Sequence, residues 1–183
     1  TYTVSGTAWD ATATDNCTVS TLLYTLSGAT TGTGTTLNGV SFNLGTTTVL
    51  WTVTDGSGNI STCTFDVTVT DNQLPAIVTC GVGGNQNVVV DPAACTYTVS
   101  GTAWDATATD NCTVSTISHT LTGATTGTGT SLNGVSFNLG TTTVLWTATD
   151  GSGNISTCTY DVIVTDGQLP EISSCGPSGN QTV

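Results

Sequence analysis

Seven cysteines, twelve carboxylates and one histidine are the residues of this chain whose types could do chemistry. The cysteines are Cys17, Cys63, Cys80, Cys95, Cys112, Cys158 and Cys175, with no CxxC pair and no Cys/His spacing of a zinc site. Regularly placed thiols in a Thr- and Gly-rich chain point instead to a disulfide framework. Such a framework persists only in an oxidising compartment, so a secreted or cell-surface protein is expected. His119 has no second histidine and no lysine anywhere in the chain to work with, and no Ser or Cys has a base to activate it. General acid–base or nucleophilic catalysis needs such positioned partners. Carboxylates at glycosidase spacing could be sought among the aspartates, but each also serves an ordinary turn. No enzyme is expected.

Composition narrows the partners. The chain has no Lys and no Arg, and its net charge is −12. It therefore lacks the basic patch that nucleic-acid binding requires and the cations that dock on an anionic membrane. A charged partner must be a cation, and hard oxygen ligands without competing positive charge suit Ca²⁺. There is no signal-peptide core and no apolar run long enough to span a bilayer, so no membrane insertion is expected. The absence of Met leads us to expect a mature, processed or partial chain.

The elements that position these residues come in two copies. Thr1 to Thr21 returns unchanged at Thr96 to Thr116, and residues 1–88 align without gaps to 96–183 with 15 differences. Cys17, Cys63 and Cys80 thereby match Cys112, Cys158 and Cys175, and His119 takes the place of Tyr24. A 95-residue period is too long for a solenoid repeat and suits a self-sufficient sandwich domain. Strand signals agree. Cys63, Phe65, Val67 and Val69 alternate with Thr64, Asp66, Thr68 and Thr70, the period of two of a half-buried strand. Val49, Trp51 and Val53 share one face of another. Forty-five threonines favour pleated structure, and turn clusters such as Asp55-Gly-Ser-Gly-Asn59 separate the strands. The fold class expected is all-β, with tandem disulfide-bonded sandwiches and almost no helix.

An ordered series then carries a family resemblance. Pro75-Ala-Ile-Val-Thr-Cys80, a cysteine after a turn (Cys95), ATDNC at Ala108 to Cys112, GTTTV at Gly140 to Val144 and TATDGSGNISTCTYDVIV at Thr147 to Val164 together resemble the hyalin repeat, or HYR module. Where family members often carry Cys-Pro, this chain has Cys80-Gly and Cys175-Gly. The resemblance implies immunoglobulin-like β-sandwiches of extracellular adhesion proteins and long bacterial surface proteins. Module boundaries are expected at Asp71-Asn-Gln-Leu-Pro75 and Asp166-Gly-Gln-Leu-Pro170, where proline ends one ladder and restarts another. They divide the chain into residues 1–72 (a module lacking its first strand), 73–167 (complete) and 168–183 (the first strand of a third).

Several site expectations follow from that layout. The disulfide pairs expected are Cys80–Cys95, Cys112–Cys158 and Cys17–Cys63, although spacing leaves other connectivities open. An immunoglobulin-like fold gathers Asp105, Asp110 and Asp150 (Asp10, Asp15 and Asp55 in the first copy) in loops at one end, which Asp71 approaches. These four, Asp71, Asp105, Asp110 and Asp150, are the candidate Ca²⁺ ligands, with turn capping as the competing role. Asn16, Asn59, Asn111, Asn154 and Asn180 match the N-glycosylation acceptor pattern, which arises readily by chance in a Thr-rich chain.

Near-identical copies with neutral, Thr-rich faces favour a structural subunit of an extracellular filament or stalk over an adhesin that binds glycan, ice or protein. Copies are expected to join head to tail, the segment 168–183 of one completing the module 1–72 of the next.

Overall fold

The computed structural model describes residues 1–174. Cys175, Asn180 and most of the strand expected at 168–183 lie outside the described residues. Thr1–Asn72 form one compact unit and the chain from Gln73 forms another. Every regular element among the described residues is a strand.

The first unit contains β1 (Tyr2–Thr3), β2 (Val19–Gly28), β3 (Gly32–Gly34), β4 (Ser41–Phe42), β5 (Gly45–Asp55) and β6 (Ile60–Val69). Its main sheet runs in the order β3-β2-β5-β6, and β1 pairs with β4. The second unit contains β7 (Ala76–Thr79), β8 (Gln86–Val89), β9 (Thr96–Thr98), β10 (Thr107–Thr109), β11 (Val114–Gly123), β12 (Gly127–Gly129), β13 (Ser136–Asn138), β14 (Gly140–Asp150) and β15 (Ile155–Thr165). Its main sheet is β12-β11-β14-β15-β8, with β7-β10 and β9-β13 as further pairs. All these pairings are antiparallel except β15 with β8, which is parallel.

Alternation builds both cores. On β14, Thr142, Val144, Trp146, Ala148 and Asp150 face inwards, while the residues between them remain partly open to solvent. Val99, Leu121, Leu132, Phe137, Tyr160, Val162 and Val164 close around Trp146. The first unit repeats this with Val4, Tyr24, Leu26, Leu37, Phe42, Val49, Trp51 and Val67. Glycine is obligatory where β2 and β11 end. Gly28 and Gly123 both have φ +101°, and a Cβ at either would sit 2.5 Å from a carbonyl oxygen of the neighbouring strand, Thr46 or Thr141.

The two units differ at one edge. Residues 76–90 of the second unit cross its sandwich, pairing first with β10 and then with β15. Cys80, Val88 and Val90 from this segment pack on the core. In the first unit β6 is the last strand of its sheet, and residues 12–14, the counterpart of β10, form no ladder.

Candidate functional site

His119 is a core residue. It is 3% exposed, and its ring packs edge-on against Trp146 with centroids 5.1 Å apart. Tyr24 and Trp51 make the same contact in the first unit at 5.5 Å. Both rings lie across a strand pair from a glycine, His119 opposite Gly129 and Tyr24 opposite Gly34. Burial pushes the imidazole below its ordinary 6.5, with the charge of Asp105 pulling the other way.

The aspartates organise loops. The Asp105 carboxylate accepts from Ser131 Oγ and the Leu132 amide, both at 2.7 Å, and Asp10 does the same with Thr36 and Leu37. Asp110 accepts from the Cys112 amide at 2.9 Å. Asp150 is 3% exposed and accepts from the Ser152 and Asn154 amides and from Asn154 Nδ2, at 2.9, 2.8 and 2.7 Å. Burial pushes the Asp150 carboxyl up, but these donors outweigh it and hold the group below the usual carboxylate value. Asp55 has the same donors in Asn59 and Ser57 and is likewise lowered. Asp105, Asp110 and Asp150 therefore each serve a separate loop, and the three do not gather within ligand reach of one another. Asp71 is half-buried near the end of the first unit.

Among the acceptor asparagines, Asn59 and Asn154 spend their side-chain amides on Asp55 and Asp150. Asn16 and Asn111 are exposed.

The disulfide connectivity corrects the expected pairing. Cys80 is bonded to Cys158, with Cα atoms 6.1 Å apart. This excludes both Cys80–Cys95 and Cys112–Cys158. The reason is the crossing segment: Cys80 lies between β7 and β8, where the chain passes from the partner of β10 to the partner of β15, and Cys158 lies on β15. The bond fastens that segment to the main sheet. Cys17–Cys63 is not formed either; Cys17, Cys63 and Cys95 are exposed thiols. A sequence signal existed in the position of Cys80 between two short β-prone runs, Ala76–Thr79 and Gln86–Val89. It shows only once both runs are assigned to the same first-strand region.

Along β6 the same residue types meet solvent. Phe65 is 37% exposed, whereas its counterpart Tyr160 is 3% exposed and donates its hydroxyl to the Trp104 carbonyl at 2.9 Å. Burial raises that phenol above its ordinary 10.0. Cys63 is exposed on β6 opposite Trp51, as Cys158 is opposite Trp146. Clefts follow β6, among them one of about 510 Å³ bounded by Trp9, Phe65 and Val67. Another, of about 150 Å³, lies beside Cys63 and reaches Leu22 and Trp51.

A two-layered, all-β repeat of about one hundred residues, stapled in its second unit by Cys80–Cys158, defines an immunoglobulin-like extracellular module. The HYR domain profile matches residues 9–69 and 70–164, and the chain belongs to the HYR domain family. It is also 28% identical over 153 residues to the "Serine-rich adhesin for platelets" of Staphylococcus aureus strain MSSA476, covering 79% of this chain. The protein of that name from strain MRSA252 is 28% identical over 152 residues, 78% of this chain. The matched stretch spans 6% and 10% of those two relatives.

Proposed function

We propose that this chain is a non-catalytic segment of an extracellular repeat protein, a structural filament or stalk whose HYR modules join head to tail. The observation that carries this reading is the near-identity of two tandem modules, which build the same core around Trp51 and around Trp146. Identical units joined head to tail by a contact that does not close into a ring propagate as a filament. Electron microscopy of the native particle tests this, with unbranched fibres expected and discrete globules overturning it. The mass of the intact denatured material then separates single chains of 18.4 kDa from one long covalent array.

The second reading is an adhesin, favoured by the name of the staphylococcal relatives. The clustered difference Leu22-Leu-Tyr24 against Ile117-Ser-His119 is poor material for a binding face, since Tyr24 and His119 are both buried. Calcium at Asp71, Asp105, Asp110 or Asp150 has a separate test. Extracellular modules hold the ion at dissociation constants of about 10⁻³ M or tighter, so calorimetric titration in that range shows saturable heat if a site exists. A flat titration leaves these aspartates as loop formers.

A further inference from the structure

We infer that Cys95, at one end of the second unit, forms a disulfide with Cys17 of a second copy, so that the ends of successive modules are joined covalently. The inference rests on the head-to-tail reading and gives that contact its bond.

Strand directions place the two thiols. β8 runs parallel to β15 with Val89 beside Thr165, and the Val90 amide donates to the Thr165 carbonyl at 3.0 Å. The turn that follows is closed by the Asp91 amide on the Thr96 carbonyl at 2.8 Å. Cys95 therefore sits at the end of the sandwich where β15 finishes and β14 begins. Cys17 lies at the opposite end of its own unit. Val19 pairs with Asp55, and the Gly56 amide donates to the Thr18 carbonyl at 3.2 Å, beside the turn where β5 ends and β6 begins. The second unit repeats this arrangement, Gly151 donating to the Thr113 carbonyl next to Cys112. β15 has 11 residues, so the two ends of a sandwich stand about 35 Å apart. A disulfide needs Cα atoms within about 7 Å, so positions 95 and 112 cannot join inside one unit. A head-to-tail contact instead brings the Cys95 end of one module against the Cys17 end of the next.

Both thiols are exposed, whereas Cys63 lies within β6 opposite Trp51 and Cys80 is already bonded to Cys158. The charges at the two ends give the bond its purpose. Asp91 and Asp166 stand at the Cys95 end, Asp15 and Asp55 at the Cys17 end, and the chain has no Lys or Arg to pair with any of them. Like charges across such a contact oppose it, and a covalent link holds it against them. The bond uses a different patch on each partner. Every chain gives one bond and accepts one, so the joining does not close as a symmetric dimer. Cys17 and Cys95 each give up one proton and together two electrons, and an oxidised thiol such as glutathione disulfide is reduced to two thiols.

Mixing isotopically heavy and light 183-residue chains in a glutathione redox buffer, followed by cleavage before each aspartate, tests the inference. That cleavage puts every cysteine on its own peptide, Cys17 on residues 15–54 and Cys95 on residues 91–104. A heavy–light pair of these two peptides is expected. Cys17→Ser and Cys95→Ser, both at exposed positions, are each expected to abolish heavy–light linkage of the thiol that remains, while Cys80–Cys158 stays intact. Cys63→Ser is expected to leave the link unchanged. Cys17–Cys95 found only within single chains, Cys95 spread evenly over Cys17, Cys63 and Cys112 of the second copy, or Cys95 remaining a thiol overturns the inference. Fibres without the Cys17–Cys95 link would leave the filament reading standing and remove this bond. The link without fibres would keep the bond and remove the filament.

Discussion

The Tyr24/His119 exchange makes one buried position titratable in the second unit and silent in the first. A histidine held below its ordinary value stays neutral while the unfolded chain takes up a proton. The stability it contributes is therefore complete above about pH 6.5 and drains as pH falls below that, towards the lower folded value. Denaturant unfolding at pH 7.5 and at pH 5.5 is expected to show the second unit losing stability at the lower pH, and His119→Tyr is expected to abolish that loss; equal pH dependence in the variant would refute this origin. The glycine opposite the ring is the other sensitive point. A Cβ at Gly129 would lie 2.8 Å from His119 Cε1, and one at Gly34 would lie 2.7 Å from the Tyr24 hydroxyl. Gly129→Ala and Gly34→Ala are each expected to cost about 1–3 kcal/mol through overpacking, measurable by urea unfolding. An unchanged midpoint would mean the rings slide aside freely.

At the scale of the element, the segment 76–90 decides how the second sandwich closes. It pairs with both layers and is held by a bond between residues 78 apart in sequence. In the chain-entropy account, closing a loop of that length stabilises by about 4.5 kcal/mol. Cys158→Ser, or strong reductant, is expected to lower the second unit's stability by that order and to leave the first unit unaffected. Tryptophan fluorescence follows both, through Trp104 and Trp146 in one unit and Trp9 and Trp51 in the other. An unchanged melting curve would mean that strand pairing alone holds the segment. The hairpin Asp150-Gly-Ser-Gly-Asn154 has an acid limit of its own. Its carboxylate is held below the usual value, so its contribution is present above about pH 3.8 and lost as pH falls beneath that.

At the scale of the whole molecule, the two units share nearly all their sequence but bury different fractions of the same faces. Phe65 and Cys63 meet solvent where Tyr160 and Cys158 are covered or bonded. For single, unjoined 183-residue chains, two thermal transitions are consequently expected under oxidising conditions, the first unit melting lower because no segment of the same chain pairs with β6 there. Calorimetry showing a single cooperative transition would contradict this. Reductant is expected to bring the two transitions together.

The 95-residue period, the alternation around Trp51 and Trp146 and the Asp-Gly-Ser-Gly-Asn turns were legible in the residues themselves, because strand periodicity and turn chemistry are local properties. From these alone follow the all-β class and the tandem architecture. The partner of Cys158 was not legible. Cysteine spacing is compatible with several connectivities, and the choice depends on where the chain crosses between layers, which is a long-range fact. The loop aspartates were legible as oxygen-rich, but their placement in separate loops, each answering its own amides, emerges only when the strands between them are laid side by side. That the first module lacks its first strand was legible in the repeat, but which side chains of β6 this uncovers was not. Phe65 and Tyr160 sit in almost identical sequence, and only the presence or absence of a packed neighbouring segment makes one a surface and the other a core.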